Sequence, residues 1–294
     1  MATKGDTFER KEKKYLISAE QCAAIKAGLS SRMSLDDYGA TRIDSLYLDT
    51  PNHALICRSL EKPLYKEKLR IRSYGAFSEA DVVYVEIKKK YDGIVYKRRV
   101  RMSKAACEAY LDGIPYEQAQ KAFPVDPEKP EKDLKPGNVQ IAREIDAFFV
   151  RHPGLEPSMV ISCLREAWCP MDPDDTDCVD RITFDEDISY IDLTESGSVQ
   201  RRRVTAEGQV VMEIKCAGGY PLWLCNLLSE FDVYPRSFSK YGNAFKRTLV
   251  ERGEVHVADE QASKVVVRGI PLHSRQRLSE ADILIGPSEG YEVA

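Results

Sequence analysis

Basic side chains recur at alternate positions in the stretch Asp81–Arg101. The dipeptide Asp92-Gly93 separates two β-rich runs and is a signal for a two-residue hairpin turn. An antiparallel register around that turn places Lys88 opposite Lys97, and like charges so placed destabilise a sheet. The same register gives one common face to a set of polar residues: Tyr84, Glu86, Lys88, Lys90, Lys97, Arg99 and Arg101. A hairpin that concentrates Lys and Arg in this way is predicted to hold an anion.

Other segments show the same alternation of polar and apolar residues. In Lys66–Tyr74, Arg70 and Arg72 fall on one side, and Leu69 and Ile71 fall on the other. Further strands are predicted at Phe8–Ile17, Thr41–Asp49, Met159–Trp168 and Arg181–Asp187, and one within Val204–Lys215. A flat sheet would leave these charges in water, whereas a closed barrel points them into one lumen while helices cover its apolar exterior. The predicted fold is therefore α+β, a closed antiparallel β-barrel with flanking helices.

Helices and a linker separate the predicted strands. The predicted helices are Ala19–Leu29, capped by Ser18, Lys104–Leu111, capped by Ser103, Val139–Arg151, Pro221–Phe231 and a last helix that ends near Glu251. The Pro- and Lys-rich stretch Phe123–Gly137 is predicted to be a solvent-exposed linker. Residues 1–251 are expected to form one domain, and residues 252–294 a C-terminal extension of unknown role.

The net charge and the distribution of apolar residues argue against some classes of binding partner. The chain has 294 residues and a formal net charge of −4. A general nucleic-acid binder usually has a basic balance, so nucleic acid is not an expected partner. No apolar run approaches the length of a membrane span and the N-terminus does not resemble a signal peptide, so direct membrane insertion is not expected. Eight cysteines without a CxxC pair, and four scattered histidines, favour reduced thiols in a cytoplasmic protein over a zinc site.

Short motifs follow one another in a characteristic order: EKKYLI, SLYLDTP, KLRIRSYG, VEIKKKYDGIVYKRRV, LREAW, RITFD, MEIK and SFSKYG. Together, from about Phe8 to Leu249, they resemble the VTC domain. This domain is the polyphosphate polymerase module of vacuolar transporter chaperones and of bacterial stand-alone relatives. The resemblance implies the triphosphate tunnel metalloenzyme superfamily, whose fold is an antiparallel barrel of about eight strands around a polar tunnel. It also implies phosphoryl chemistry with Mg²⁺ or Mn²⁺.

The sequence departs from the superfamily pattern in two places. The signature ExExK stands here as Arg10-x-Glu12-x-Lys14. That form is also the VTC-type pattern, and it argues against adenylate cyclase or thiamine triphosphatase activity. In the SFSKYG element, Ser237 precedes the Phe where some relatives have a Lys, and Arg236 is a candidate substitute. Neither the SPX domain nor the transmembrane domain of the eukaryotic relatives is expected in this sequence.

The resemblance also implies a role for particular residues. As catalytic residues that cradle phosphate it implies Lys14, Arg70, Arg72, Lys88 and Arg99. As further phosphate-binding residues it implies Arg165, Arg181, Lys215, Ser239 and Lys240. Glu213 is implied to be the metal ligand. These residue types suit the task, because Arg contacts phosphate through two hydrogen bonds, Lys acts as a point charge, and Mg²⁺ and Mn²⁺ prefer carboxylate oxygens.

Each assignment has a simpler alternative. The basic residues could form a solvated charged face of a sheet. Glu213 could serve only in a salt bridge, either with Lys215 or with an Arg across the lumen, and Ser239 could cap the last helix. Glu12 and Glu86 are interpreted as residues that hold a neighbouring Arg in place, and Tyr47 as wall packing.

Three functions are consistent with these patterns. The leading hypothesis is a metal-dependent polyphosphate polymerase, a transferase that moves the γ-phosphoryl of ATP onto a growing inorganic polyphosphate chain inside a basic tunnel. With water as the acceptor, the same tunnel would make a tripolyphosphatase or nucleoside triphosphatase. Without catalysis, the protein would be a polyphosphate sensor. The sequence has no Walker-type glycine loop, and covalent catalysis is not indicated.

Overall fold

The computed structural model describes the following stretches of the chain: 11–78, 81–92, 94–175, 177–195, 200–253, 255–259, 264–267 and 291–293. Its strands are β1 (Lys11–Ile17), β2 (Met33–Leu35), β3 (Thr41–Asp49), β4 (Tyr65–Tyr74), β5 (Val82–Tyr91), β6 (Ile94–Ser103), β7 (Glu156–Pro170), β8 (Arg181–Asp192), β9 (Arg201–Arg203), β10 (Val210–Cys216), β11 (Val255–Asp259), β12 (Lys264–Val267) and β13 (Tyr291–Val293). Its α-helices are α1 (Ala19–Leu29), α2 (Ala54–Leu60), α3 (Lys104–Leu111), α4 (Tyr116–Ala122), α5 (Pro136–Arg151), α6 (Leu222–Glu230) and α7 (Lys240–Glu251). The α+β class is confirmed.

The main sheet is antiparallel and open. Its hydrogen-bonded order is β1-β10-β8-β7-β3-β4-β5-β6, with β2 paired to β7 and β9 paired to β8. The prediction of a closed barrel is wrong for the described residues, because β1 and β6 end this order and do not pair with each other. Alternation specifies the face that each side chain takes, whereas closure depends on strand tilt and stagger, which alternation does not encode. A separate sheet has the order β11-β12-β13.

The hairpin formed by β5 and β6 has the predicted register. Lys88 pairs with Lys97, and Glu86 pairs with Arg99. Asp92 adopts a positive φ of 44°, which is the conformation that a tight hairpin turn of type I′ requires. The other turn residue, Gly93, lies outside the described residues.

The chain forms two compact units. The first unit takes its described residues from three segments: Met1–Ile43, Ser162–Ser189 and Arg203–Ser239. The second unit takes its described residues from Asp44–Ile161, Tyr190–Arg202 and Lys240–Ala294. Each unit has its own hydrophobic core.

One face of the sheet supplies the core of each unit. In the second unit, Leu69, Val85 and Val100 are buried in a cluster with side chains of α3, α4 and α5. In the first unit, Phe184 and Met212 are buried in a cluster with side chains of α1 and α6. Burial of one such side chain contributes about 1.5–3 kcal/mol. Because side chains alternate along a strand, the polar residues between these apolar ones are directed to the opposite face.

The helix boundaries follow local capping. The Ser18 hydroxyl accepts a hydrogen bond from the Gln21 amide at 3.2 Å, and the Gln21 side chain accepts one from the Ser18 amide at 2.9 Å. This capping box confirms the predicted start of α1. The Ser103 hydroxyl likewise accepts a hydrogen bond from the Ala106 amide, as predicted for α3. The short helices α2 and α4 lie outside the predicted set, because neither has a side-chain cap and each has only seven residues.

The prediction of a solvent-exposed linker at Phe123–Gly137 is wrong in part. A 3₁₀ helix, Pro130–Lys132, lies within it, and α5 begins at Pro136. Asp133 is buried and accepts two hydrogen bonds from Arg101, at 3.1 and 2.9 Å. Composition alone indicated a polar loop, whereas this tertiary ion pair anchors the segment.

Candidate functional site

The polar face of β4, β5 and β6 surrounds one buried carboxylate. Glu86 is only 1% exposed, and its Oε2 accepts a hydrogen bond from Arg70 Nε at 2.7 Å. Its Oε1 lies 3.1 Å from Lys97 Nζ and 3.6 Å from Arg99 Nη1. Arg72 Nε lies 3.9 Å from Oε2. Four cations therefore share one carboxylate, which leaves this face with excess positive charge.

The charges in this cluster alter each other's ionisation. Burial acts to raise the pKa of Glu86, but the positive charges of Arg70, Arg72 and Lys97 outweigh it and lower the pKa to about 2. For Lys97, partial removal of the ammonium group from water lowers the pKa although the side chain is 40% exposed, and the charges of the two arginines lower it further. The attraction of Glu86 only partly opposes them, so the pKa of Lys97 falls to about 8. Lys97 is thus a cation whose charge changes close to neutral pH.

A buried tyrosine positions Arg70. Arg70 Nη1 donates a hydrogen bond to the Tyr47 hydroxyl at 3.1 Å. The ring of Tyr47 stacks on that of Tyr241, with the centroids 4.3 Å apart and the planes 17° apart. Burial acts to raise the pKa of Tyr47, but the charges of Arg70 and Lys68 lower it to about 8. Tyr47 therefore packs in the interior and also holds a guanidinium group.

A second pair of tyrosines orients Arg99. Arg99 Nη1 donates a hydrogen bond to the Tyr74 hydroxyl at 3.0 Å, and Arg99 Cζ lies 4.5 Å from the centroid of the Tyr84 ring. The two rings meet edge to face, with centroids 5.5 Å apart. These contacts hold a planar guanidinium in one orientation although its side chain is 44% exposed.

Lysines extend the same basic face toward the hairpin tip. In the strand register, Lys88 lies between Lys68 and Lys97. A row of like charges across a sheet favours an anion beside it, as inferred from the sequence, although Lys97 in this row also contacts Glu86 at 3.1 Å. Arg70, Arg72, Lys88 and Arg99 are therefore brought to one face, as expected. Lys240 is the first residue of α7.

The first unit has a second polar face, on β1 and β10. Lys14 pairs with Glu213 and Glu12 with Lys215 in the strand register. Glu213 Oε1 lies 3.0 Å from Lys215 Nζ, and Glu213 Oε2 lies 3.8 Å from Lys14 Nζ. Lys14 Nζ also lies 3.3 Å from Glu12 Oε1. The salt bridge between Glu213 and Lys215 that the sequence left open is therefore formed.

The arginines of β7 and β8 are paired with aspartates. Arg165 makes a bidentate pair with the fully buried Asp185, at 2.5 and 2.7 Å. Arg181 Nη2 lies 2.6 Å from Asp36 Oδ2. The bidentate geometry orients the Arg165 guanidinium in the same way that Glu86 orients an arginine in the second unit.

The segment before α7 contributes mainly through its backbone. The backbone carbonyl of Phe238 accepts a hydrogen bond from Lys14 Nζ at 3.3 Å, and the Arg236 amide donates to the Lys14 carbonyl at 2.7 Å. The Arg236 side chain is exposed, and Ser239 is half-buried. Some relatives have a Lys at the position of Ser237, and these contacts do not support Arg236 as its substitute.

The family model of the VTC domain matches residues 9–249. The chain belongs to the VTC domain family. The resemblance carried by the sequence motifs is thereby confirmed. No curated protein matches the chain.

Two solved structures are similar to this VTC domain at a low level. One is a candidate adenylate cyclase from Vibrio parahaemolyticus, which is 9% identical, with 81% of this chain and 98% of that chain covered and a TM-score of 0.37. The other is the PH1819 protein from Pyrococcus horikoshii, which is 13% identical, with 83% and 99% covered and a TM-score of 0.38. Likenesses this weak establish neither a shared site nor a shared activity.

The oxygen donors of the first unit suit a hard divalent cation in a VTC domain. The Thr183 hydroxyl is buried and makes no hydrogen bond to the described residues, and Thr183 pairs with Glu213 in the strand register. Mg²⁺ is commonly bound by one or two carboxylates, with waters and substrate phosphates completing its octahedron. The stretches described contain no group of three or more His, Cys, Asp or Glu residues that could hold a metal. Glu213 and the Thr183 hydroxyl are the oxygen donors that would hold such a cation, which would compete with Lys215 and Lys14 for the Glu213 oxygens and take its other ligands from substrate and water.

Sequence reasoning missed three features of these faces. Lys97 was placed on the correct face of the hairpin, but its contact with Glu86 is diagonal across the register, and alternation does not reveal diagonal contacts. The sequence pattern marks Tyr74 only as the end of a strand and does not indicate its hydrogen bond from Arg99. The unsatisfied hydroxyl of Thr183 had no sequence signal, because β8 and β10 pair across a long separation.

Proposed function

We propose that this protein is a metal-dependent polyphosphate polymerase that transfers the γ-phosphoryl of ATP onto inorganic polyphosphate in the cytoplasm. The observation that supports this most strongly is the arrangement of Arg70, Arg72, Lys97 and Arg99 around the single buried carboxylate of Glu86. Four cations around one carboxylate leave a net positive charge, which is opposite in sign to the charge of a triphosphate. Membership of the VTC domain family supports the same substrate class.

Catalysis of phosphoryl transfer depends mainly on positioning and electrostatic stabilisation. Arg70 is already positioned, because Glu86 and Tyr47 fix its guanidinium before any substrate binds. The conformational entropy of the side chain has then already been lost in the folded protein. We assign Arg70, Arg72, Lys88 and Arg99 to the triphosphate.

In the first unit we assign a second set of residues to phosphate groups, either those of the triphosphate or those of the polyphosphate chain: Lys14, Arg165, Arg181, Lys215 and Ser239. Lys240 in the second unit has the same proposed role. Glu213, with the Thr183 hydroxyl, would hold Mg²⁺ or Mn²⁺. When bound, the cation would neutralise charge on the phosphate oxygens. Residues 1–251 would carry the whole activity, and the role of residues 252–294 is left open.

The test is incubation of the purified protein with ATP and Mn²⁺, followed by measurement of ADP and of polyphosphate. We expect long-chain polyphosphate with the wild type, and its loss in Arg70→Ala and Arg72→Ala variants that remain folded. Arg98→Ala is the matched control, because Arg98 lies on the opposite face of β6 and pairs with Glu144 at 2.7 Å. That variant should retain activity.

The alternatives give different results in the same assay. Release of phosphate without polymer would replace the polymerase with a hydrolase that uses water as its acceptor. Tight triphosphate binding without turnover, unchanged by a chelator and by Glu213→Ala, would favour a sensor.

A further inference from the structure

Exposed apolar side chains are concentrated at the tip of the β5–β6 hairpin and at the neighbouring start of β4. They are Leu64, Tyr65, Tyr91, Ile94, Val95 and Tyr96, and their exposed fractions run from 37% to 61%. The Asp92 amide donates a hydrogen bond to the Leu64 carbonyl at 2.9 Å, which ties the start of β4 to the tip. Six exposed apolar side chains grouped in this way make the tip a candidate interaction surface.

The same surface is strongly basic. Residues 62–66 and 88–99 contain eight Lys and Arg residues and one acidic residue, Asp92, in a chain whose formal net charge is −4. Lys89 and Arg98 pair with Glu144, and Lys97 and Arg99 with Glu86, so eight positive charges stand against these three negative ones and the excess is five. Most of these basic residues are lysines, whose long apolar stems can lie along a nonpolar layer while the ammonium group stays in water. The partner must therefore combine negative charge with an apolar phase.

The geometry of the tip distinguishes a membrane from a protein partner. Tyr91, Ile94 and Tyr96 share one face of the hairpin by alternation, and Val95 lies on the other. Every described residue from Lys90 to Arg99 is exposed, so solvent reaches both faces of the tip. A protein partner usually covers one continuous patch, whereas the headgroup layer of a bilayer can surround a tip on all sides.

We propose that this hairpin tip docks the protein reversibly on an anionic membrane surface. The tyrosine rings and Ile94 lie at the level of the interface, and the lysines contact acidic lipid headgroups. No helix in the described stretches is long and apolar enough to cross a membrane. The tip lies on the same hairpin as Lys88 and Arg99, and docking therefore brings the basic face close to the membrane surface.

The experiment is cosedimentation of the full chain with sucrose-loaded vesicles. One set contains phosphatidylcholine alone, and in the other phosphatidylglycerol makes up about a third of the lipid. We expect binding to the anionic set only, weakened by added salt because screening reduces the attraction of the lysines. The variant Tyr91→Ser/Ile94→Ser/Tyr96→Ser should lose at least about tenfold in the partition coefficient, because three apolar anchors are removed.

The matched control changes the same number of apolar residues elsewhere. In Tyr38→Ser/Val150→Ser/Leu222→Ser each altered side chain is at least 74% exposed, and none belongs to the tip. This variant should partition as the wild type does, and circular dichroism should show both triple variants folded. Failure of the wild type to bind anionic vesicles would overturn the proposal in favour of a protein partner. Equal binding by the tip variant and the wild type would overturn it as well.

Discussion

Replacing Glu86 by glutamine removes the one negative charge among four cations while it preserves the size of the side chain. Arg70, Arg72, Lys97 and Arg99 would then repel each other around an uncharged amide, most strongly at Arg70 and Arg72, because the side chains of Lys97 and Arg99 are 40% and 44% exposed. Loss of one partner from a buried ion pair typically costs about 3–5 kcal/mol. We therefore expect Glu86→Gln to be one of the most destabilising conservative substitutions on this face.

The lowered pKa of Glu86 gives a second measure of the same quantity. Its fall from 4.5 to about 2 corresponds to about 3 kcal/mol of preference for the ionised form in the folded state. Glu86 itself is 1% exposed, but the side chains of Lys97 and Arg99 are 40% and 44% exposed, so solvent screening makes this figure an upper value. A loss of that size would lower the melting temperature of a protein of this length by roughly 5 °C.

The effect has a definite pH dependence. Because the pKa of Glu86 is lower in the folded than in the unfolded state, its contribution is complete above about pH 4.5 and is lost as the pH falls toward 2. The free energies of unfolding of wild type and variant should therefore differ by a constant amount near neutrality and converge in acid. Urea titrations at a series of pH values measure this difference.

Glu144→Gln is the matched control for that experiment. Glu144 also contacts two cations, Lys89 at 3.3 Å and Arg98 at 2.7 Å, but its side chain is 28% exposed. Such an exposed pair contributes less than about 1 kcal/mol. Equal destabilisation by the two substitutions, or a Glu86→Gln deficit that does not change in acid, would refute the argument that burial strengthens the Glu86 cluster.

Three further predictions concern the ionisation of Lys97 and Tyr47 and the ion pair between Asp185 and Arg165. Affinity for tripolyphosphate, measured by calorimetry, should fall as the pH rises through about 8, where Lys97 loses its charge, and Lys97→Arg should remove that fall. Tyrosinate absorbance should show a step centred near pH 8, because the charge of Arg70 offsets the burial of Tyr47, and Tyr47→Phe should abolish it. Asp185→Asn should cost about 3–5 kcal/mol in urea unfolding, because it leaves the Arg165 guanidinium without its buried carboxylate; a cost below 1 kcal/mol would contradict this.

Local patterns in the sequence determined most of the strands and the face that each side chain occupies. The period of two separated Arg70 and Arg72 from Leu69 and Ile71, and the structure buries the apolar pair in the core of the second unit. The turn signal Asp92-Gly93 set the register that pairs Lys88 with Lys97. These inferences succeeded because alternation, turn type and helix capping depend on residues close together in the chain.

Relations between distant segments were decided only by the tertiary structure. In the described residues the main sheet ends at β1 and β6 and does not close into the expected barrel, because closure depends on strand tilt and stagger. Lys97 reaches Glu86 across the diagonal of the hairpin, and Asp133 reaches Arg101 from a segment whose composition indicated a solvated linker. In each case the pairing depends on distances through space between side chains, and a one-dimensional pattern of polar and apolar residues does not contain those distances.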